Sequence, residues 1–190
     1  MQATGWLGTM LYLGAHLYLS GGGRAKWTVY YTVNFIAAFC ISITSAVLHS
    51  WQAVIINVCW GLISAAGMGR LSLKFLRFNP VFLEVALGLC FVVSMGSLPF
   101  AARFSIALLA WSATLAFSFG YLLCASERIT KRCFFLYNAY AALVILPQLW
   151  IDTNYPTLAL EVLWFGISLF GWGNSRKAEV GKVPQKHVSD

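Results

Sequence analysis

The chain has 190 residues, of which 59% are hydrophobic and only 10% are charged, and its formal net charge is +7. This composition excludes an ordinary soluble domain and is typical of a helical membrane protein. The positive charge does not indicate nucleic-acid binding, because the basic residues lie between apolar stretches and do not form a face on a soluble fold.

Seven apolar stretches follow one another along the chain, and each is 17–21 residues long. They cover residues 4–20, 28–47, 50–68, 80–98, 104–124, 133–150 and 155–173. A helix needs about 20 apolar residues to cross the hydrocarbon core of a bilayer. The pattern therefore predicts an all-α membrane protein with seven transmembrane helices.

The basic residues are distributed very unevenly across this seven-span arrangement. Twelve of the thirteen Lys and Arg residues fall in connections on one side of the membrane, and only Arg103 falls on the other. Basic residues of short loops remain in the cytoplasm. We therefore expect a multi-pass protein of the cell inner (plasma) membrane, with its N-terminus outside and its C-terminus in the cytoplasm.

Residues 5–68 resemble residues 110–172 when the two segments are aligned with a shift of 104 or 105 positions. Identical pairs occur with the shift of 104, including Asn34 with Asn138 and Trp60 with Trp164. Chance similarity between apolar segments explains matched Ala and Val more easily than matched Asn and Trp. The alignment therefore predicts an internal duplication of a three-helix unit.

The duplication divides the chain into two repeats with a single helix between them, a 3+1+3 plan. We expect a first three-helix repeat at residues 1–70 and an interfacial segment with a linker helix at residues 71–100. A second repeat at residues 101–173 and a disordered cytoplasmic tail at residues 174–190 complete the chain. The single linker restores the orientation, so the repeats are parallel, and such pairs commonly hold a substrate between them.

Two polar residues at matching positions are candidates for substrate binding. Polar side chains inside a span are costly and usually face the bundle interior. Asn57 and its repeat partner Glu161 are expected to face each other in the outer half of the bundle. They either bind a substrate or form hydrogen bonds between helices. Glu161 is also a candidate for proton coupling, because an ionisable group at this depth needs a functional or structural reason.

Two further matched pairs lie deeper in the predicted spans. Asn34 and Asn138 lie towards the cytoplasmic side, where they serve either as interhelical hydrogen-bonding groups or as substrate contacts. Trp60 and Trp164 lie near the middle of their spans, although tryptophan usually prefers the interface. Together they either form a stacking platform for a ring-shaped substrate or fill the core.

Two single residues complete the set of candidates. His16 lies near the cytoplasmic end of the first span, where it is either a satisfied interfacial histidine or part of a proton relay. Gln148 follows Pro147, which removes a backbone hydrogen bond from the sixth span. The amide of Gln148 is therefore predicted to bind the freed carbonyl or a substrate.

The sequence gives no indication of catalysis. No nucleophile arrangement, metal cluster or nucleotide motif is present, so we predict no catalytic residue, no metal site and no cofactor. The five cysteines lie in or beside the spans and contain no C-x-x-C pair. This placement favours packing over metal binding or disulfide formation.

The 3+1+3 plan resembles the SWEET and PQ-loop superfamily of sugar transporters over nearly the whole chain. The first unit is similar to small uncharacterised bacterial inner-membrane proteins of that superfamily, the YgjV type, through Gly5-Trp6-Leu7-Gly8, Tyr12, His16-Leu17-Tyr18-Leu19, Asn34, Asn57 and Trp60. The second unit resembles the PnuC-type nicotinamide riboside permeases through Asn138, Gln148 and the segment from Leu160 to Trp172. The resemblance to SWEET transporters implies that Asn57 and Glu161, on the third helix of each unit, meet the substrate.

These patterns favour a small-molecule permease that works by alternating access at a central site, with a sugar or a vitamin- or nucleoside-like substrate. The alternative is a non-transporting integral membrane accessory or sensor protein. A permease requires a cavity lined by both repeats, whereas the alternative predicts a Glu161 that is paired within the protein and no central cavity. The expected partners are the lipid bilayer and the substrate, and a homo-oligomer is compatible with the sequence.

Overall fold

The computed structural model describes the backbone of residues 2–20, 27–71 and 78–180, and the side chains of residues 2–15, 28–71 and 78–174. This part of the chain consists of seven α-helices without a strand. The helices are α1 (Gln2–Ser20), α2 (Trp27–Val47), α3 (Trp51–Met68), α4 (Pro80–Ser97), α5 (Ala102–Ala125), α6 (Lys131–Ile151) and α7 (Tyr155–Val180).

Six of these helices, α2 to α7, contain a segment that is long and apolar enough to cross a membrane. Their outward faces carry large apolar side chains such as Phe39, Leu62, Val92 and Phe170, which are between 63% and 71% exposed. A hydrophobic surface of this extent matches a hydrocarbon solvent and not water. The protein is therefore a multi-pass membrane protein.

The helices other than α4 form a closed ring of neighbours. α1 packs against α2, α2 against α3, α3 against α5, α5 against α6, α6 against α7, and α7 against α1. We refer to α1–α3 as the first unit and to α5–α7 as the second unit. Exchanging the two units, helix for helix, leaves this set of contacts unchanged. α4 stands outside the ring, packs chiefly against α5 and buries only Leu83, Leu87 and Ser94.

The two units contain the same tight connection between their second and third helices. His49 and Thr153 adopt left-handed backbone conformations, with φ angles of 55° and 53°. The next N–H in each unit reaches back five residues to a carbonyl, at 2.8 Å from Ser50 to Ser45 and at 3.0 Å from Asn154 to Leu149. This Schellman-type C-cap reverses the chain within three residues and sets the two helices side by side.

Glycine allows the same close helix approach in both units. A Cβ atom on Gly67 would lie 2.7 Å from the ring of Tyr31, and one on Gly171 would lie 2.6 Å from the ring of Phe135. Both distances are far below van der Waals contact, so each position requires glycine at this helix separation. The two glycines are 104 positions apart, as are the two aromatic residues.

The C-terminal end of the second unit differs from the sequence expectation. α7 continues to Val180, so residues 174–180 are helical although the sequence suggested a disordered tail from residue 174. Arg, Lys, Ala and Glu in this segment have high helix propensity, which accounts for the extension. Residues 181–190 lie outside the described residues. α6 runs without interruption through Pro147 to Ile151.

Candidate functional site

A small cavity lies where α1, α3, α5 and α7 meet, at the junction of the two units. It is lined by Tyr12, Ile56, Asn57, Trp60, Phe117, Leu160, Glu161 and Trp164. The empty space between these side chains, including any that is open to the outside, is about 300 Å³. The part that is fully free of neighbouring atoms has room for on the order of one water molecule.

The lining residues form four pairs at equivalent positions of the two units. One member of each pair belongs to the first unit and the other lies 104 or 105 positions later. The pairs are Tyr12 with Phe117, Ile56 with Leu160, Asn57 with Glu161, and Trp60 with Trp164. The cavity is therefore built by the same surface of each unit, and both units are needed to enclose it.

The polar pair of the cavity is Asn57 and Glu161, and only one of the two has its hydrogen-bonding groups satisfied. Asn57 accepts a hydrogen bond from the hydroxyl of Tyr12 at 3.1 Å and donates one to the carbonyl of Ala53 at 2.9 Å. Glu161 is only 6% exposed, and its Oε2 atom has no hydrogen-bond partner in the described part of the chain. The second unit has Phe117 where the first has Tyr12, so it lacks the matching hydroxyl donor.

Three aromatic rings form walls of the cavity at large angles to one another. The rings of Tyr12 and Trp60 are 6.0 Å apart at 90°, and those of Trp60 and Trp164 are 5.4 Å apart at 75°. The rings of Tyr12 and Trp164 are 6.4 Å apart at 68°. Phe117 adds a fourth ring, 6.4 Å from Trp60 at 82°. The carboxylate of Glu161 thus shares a cavity with four aromatic rings that pack edge to face.

The asparagines Asn34 and Asn138 do not line the cavity, but one of them holds a wall of it. The indole N–H of Trp164 donates a hydrogen bond to Oδ1 of Asn138 at 3.1 Å. In the first unit, Oδ1 of Asn34 and the indole N–H of Trp60 are both buried without a partner among the described residues. The Trp60 ring instead lies against Tyr121, with centroids 4.7 Å apart and planes tilted by 34°.

Among the described residues, the candidate Gln148 is not in the lining of the cavity, and the side chain of His16 lies outside the described residues. Gln148 donates a hydrogen bond to Asp152 at 2.7 Å, at the C-terminal end of α6. This carboxylate lies four residues away on the same helical face.

Sequence reasoning identified four of the lining residues, Asn57, Trp60, Glu161 and Trp164, and missed the other four. Ile56 and Leu160 are apolar, and Tyr12 and Phe117 are aromatic residues within apolar helices, so their composition gives no signal. The repeat alignment does contain a signal, because it aligns Tyr12 with Phe117 at the shift of 105 positions. An aromatic pair at the repeat register would have indicated the remaining walls.

Comparison with known proteins places the chain in a family without assigning an activity. One family model matches residues 1–74 and residues 106–179, which together exceed half of the chain. The chain therefore belongs to this family, which is uncharacterised. The matched segments contain every lining residue of the cavity and omit α4. No curated protein and no solved structure matches the chain.

Proposed function

We propose that the protein is a small-molecule permease in which the first and second units, joined by α4 in a 3+1+3 arrangement, expose a central site alternately to the two sides of the membrane. The observation that carries this proposal is the cavity at the junction of the units, lined by four equivalent pairs of residues. Transporters built from repeats commonly bind their substrate at such a junction and work by rocking one repeat against the other.

Three features support a duplicated architecture for this permease. The ring of helix contacts is unchanged when the units are exchanged. Both units contain the same Schellman-type turn and the same glycine packed against an aromatic ring. The family model matches one segment in each unit, and the two segments begin 105 positions apart. This architecture agrees with the resemblance to the SWEET and PQ-loop superfamily.

The distribution of basic residues supports one orientation in the inner membrane. Twelve Lys and Arg residues lie in the α1–α2, α3–α4 and α5–α6 connections, at their flanking helix ends, or near the C-terminus. The other side of the membrane carries Arg103 at the start of α5. Because basic residues of short loops remain cytoplasmic, this orientation places the N-terminus outside. Asn57 and Glu161 then lie in the outer half of the membrane.

A non-transporting accessory or sensor protein is the second candidate, and the size of the cavity favours it. Its walls are in contact over most of their surface, and the free space is on the order of one water molecule. A permease with this cavity must open it by moving the units apart. A sensor needs the units to separate only enough to admit a small ligand, and not far enough to expose the site to both sides of the membrane. The two functions therefore differ in flux and not in binding.

The test combines a binding screen with a measurement of flux. The purified protein is heated with a panel of sugars, nucleosides and vitamins, because a compound that binds the folded state raises the melting temperature. Each stabilising compound is then tested for uptake into proteoliposomes. A permease predicts stabilisation and uptake by the same compound, both reduced in Glu161→Gln.

The matched control is Glu84→Gln, which removes a carboxylate of the same charge from α4. Glu84 is exposed and accepts a hydrogen bond from Tyr137 at 3.1 Å, away from the cavity. This variant is expected to retain both stabilisation and uptake. Stabilisation without uptake would favour the sensor, and equal losses in both variants would contradict a site at Glu161.

A further inference from the structure

We infer that the cavity selects a small organic cation, whose ammonium group lies between the carboxylate of Glu161 and the rings of Tyr12, Trp60 and Trp164. The transport of this cation rests on the proposed function, whereas its binding does not. The inference draws on three properties of the cavity, which are its charge, its aromatic walls and its one vacant hydrogen-bond donor.

The charge of the cavity comes from a carboxylate group with one unpaired oxygen. Glu161 is 6% exposed, and its Oε2 atom has no partner among the described residues. An ionised carboxylate in an apolar interior is strongly unfavourable unless a cation or several donors compensate it. The equivalent position of the first unit carries Asn57, so the packing of the third helix does not require a carboxylate. A cation that enters the cavity would supply the missing partner.

The aromatic argument concerns the electrostatics of the walls. The faces of tryptophan and tyrosine rings attract cations, and rings that surround a small space are the common way of binding an ammonium group. Tyr12, Trp60 and Trp164 stand at angles of 90°, 75° and 68° to one another, with centroids between 5.4 and 6.4 Å apart. The described lining residues include no Lys, Arg or His, so none of them repels a cation or pairs with an anion.

The unpaired N–H of Trp60 indicates that the cation also carries a hydrogen-bond acceptor. The indole N–H of Trp60 is buried and has no acceptor among the described residues. A hydroxyl oxygen close to the ammonium group of the same molecule would accept this hydrogen bond and remove the cost of an unpaired donor. Once the units have separated enough to admit a ligand, the lining therefore suits a short amino alcohol better than an alkylammonium ion without oxygen.

Calorimetric titration of the full-length protein in nanodiscs tests the inference, with two cations and their neutral analogues at constant ionic strength. Ethanolammonium is compared with ethylene glycol, and choline with dimethylbutanol, in which a carbon atom replaces the nitrogen. We expect at least one cation to bind and its neutral analogue not to bind. Glu161→Gln is expected to weaken that binding about thirtyfold or more, because it removes one partner of a buried charge pair. Glu84→Gln is expected to leave the affinity unchanged.

Variants of Trp60 test the aromatic walls independently of Glu161, including the case in which Glu161→Gln does not fold. Trp60→Phe keeps a ring and is expected to retain cation binding, whereas Trp60→Leu removes the ring and is expected to lose most of it. Folding of each variant is checked by thermal unfolding without added cation. Equal binding of a cation and its neutral analogue, full affinity in Glu161→Gln, or no binding of either cation would overturn the inference.

Uptake of the bound cation into proteoliposomes separates this inference from the proposed function. Cation binding that depends on Glu161 but is not accompanied by uptake would support the cation site and overturn the permease. Uptake of a neutral compound by a protein that binds neither cation would support the permease and overturn the cation site.

Discussion

The first and second units have the same framework but differ in how they satisfy the polar groups around the cavity. The hydroxyl of Tyr12 donates to Asn57 at 3.1 Å, so the first unit pairs its polar residue internally. The second unit has Phe117 and Glu161 at these positions and leaves Oε2 of the carboxylate without a partner. The two units thus differ at two positions, and the second unit has an unpaired carboxylate oxygen where the first has a hydrogen-bonded pair.

The hydrogen bond between tryptophan and asparagine shows the opposite difference between the units. Here the second unit makes the hydrogen bond, from the indole N–H of Trp164 to Asn138 at 3.1 Å. The first unit has the same two residue types, Trp60 and Asn34, but leaves both of these polar atoms unpaired. The residues are identical, so this difference comes from conformation and not from sequence.

The features that the two units share set the helix packing, whereas the features in which they differ lie around the cavity. Turns and glycine contacts are equivalent in the two units because they set the distances between helices. The unpaired atoms of Trp60 and Glu161 both belong to residues that line the cavity. Buried polar groups without partners cost about 1–3 kcal/mol each. A ligand bound at the junction of the units would pair with both of these atoms.

The largest loss of stability is expected from replacing the two glycines that lie at equivalent positions of the units. Gly67→Ala and Gly171→Ala each force a methyl group against an aromatic ring and should lower the free energy of unfolding by about 1–3 kcal/mol. Gly166→Ala on the same helix as Gly171 meets no atom within 4 Å and should be neutral or slightly stabilising. Unfolding in detergent micelles measures all three. Equal stabilities of Gly171→Ala and Gly166→Ala would show that the close approach in the second unit is absent.

A smaller difference is expected between the two asparagines. Asn34 and Asn138 each donate one hydrogen bond to a carbonyl four residues earlier, at 2.8 Å in both units. Asn34→Leu and Asn138→Leu both remove that bond, but only Asn138→Leu also leaves the N–H of Trp164 unpaired. Asn138→Leu should therefore be the more destabilising by about 1 kcal/mol. Equal losses in chemical unfolding would mean that both units make the Trp–Asn bond.

The smallest changes in stability are expected when the residue types at positions 12 and 117 are exchanged. Tyr12→Phe gives the first unit the residue of the second and should cost about 0.6 kcal/mol, a typical value for a hydrogen bond inside a membrane protein. Phe117→Tyr gives the second unit a hydroxyl that can donate to Glu161. It should stabilise the protein by a similar amount and weaken cation binding, as measured by the same unfolding and titration experiments. A destabilised Phe117→Tyr would contradict the equivalence of the two positions.

The helical fold could be predicted from the sequence, because helix number depends on the length of the apolar stretches, whereas the orientation stays a prediction from the basic residues. The repeat register pairs Asn57 with Glu161, and both residues line the cavity. The difference between Asn34 and Asn138 could not be predicted, because spacing does not determine the direction of a tryptophan side chain. The hydrogen bond from Gln148 to Asp152 was not predicted either, although the two residues are four positions apart on one helical face.

The most direct test of the account is the accessibility of Asn57 from the two sides of the membrane. Asn57→Cys is made in a variant without the five native cysteines and treated with a membrane-impermeant thiol reagent in right-side-out and inside-out vesicles. Phe100→Cys and Glu127→Cys, in the connections before and after α5, report which side each vesicle exposes. The account predicts that Asn57→Cys reacts in both vesicle types, while each control reacts in only one. Reaction of Asn57→Cys in one type alone, or in neither, would contradict alternating access at this cavity.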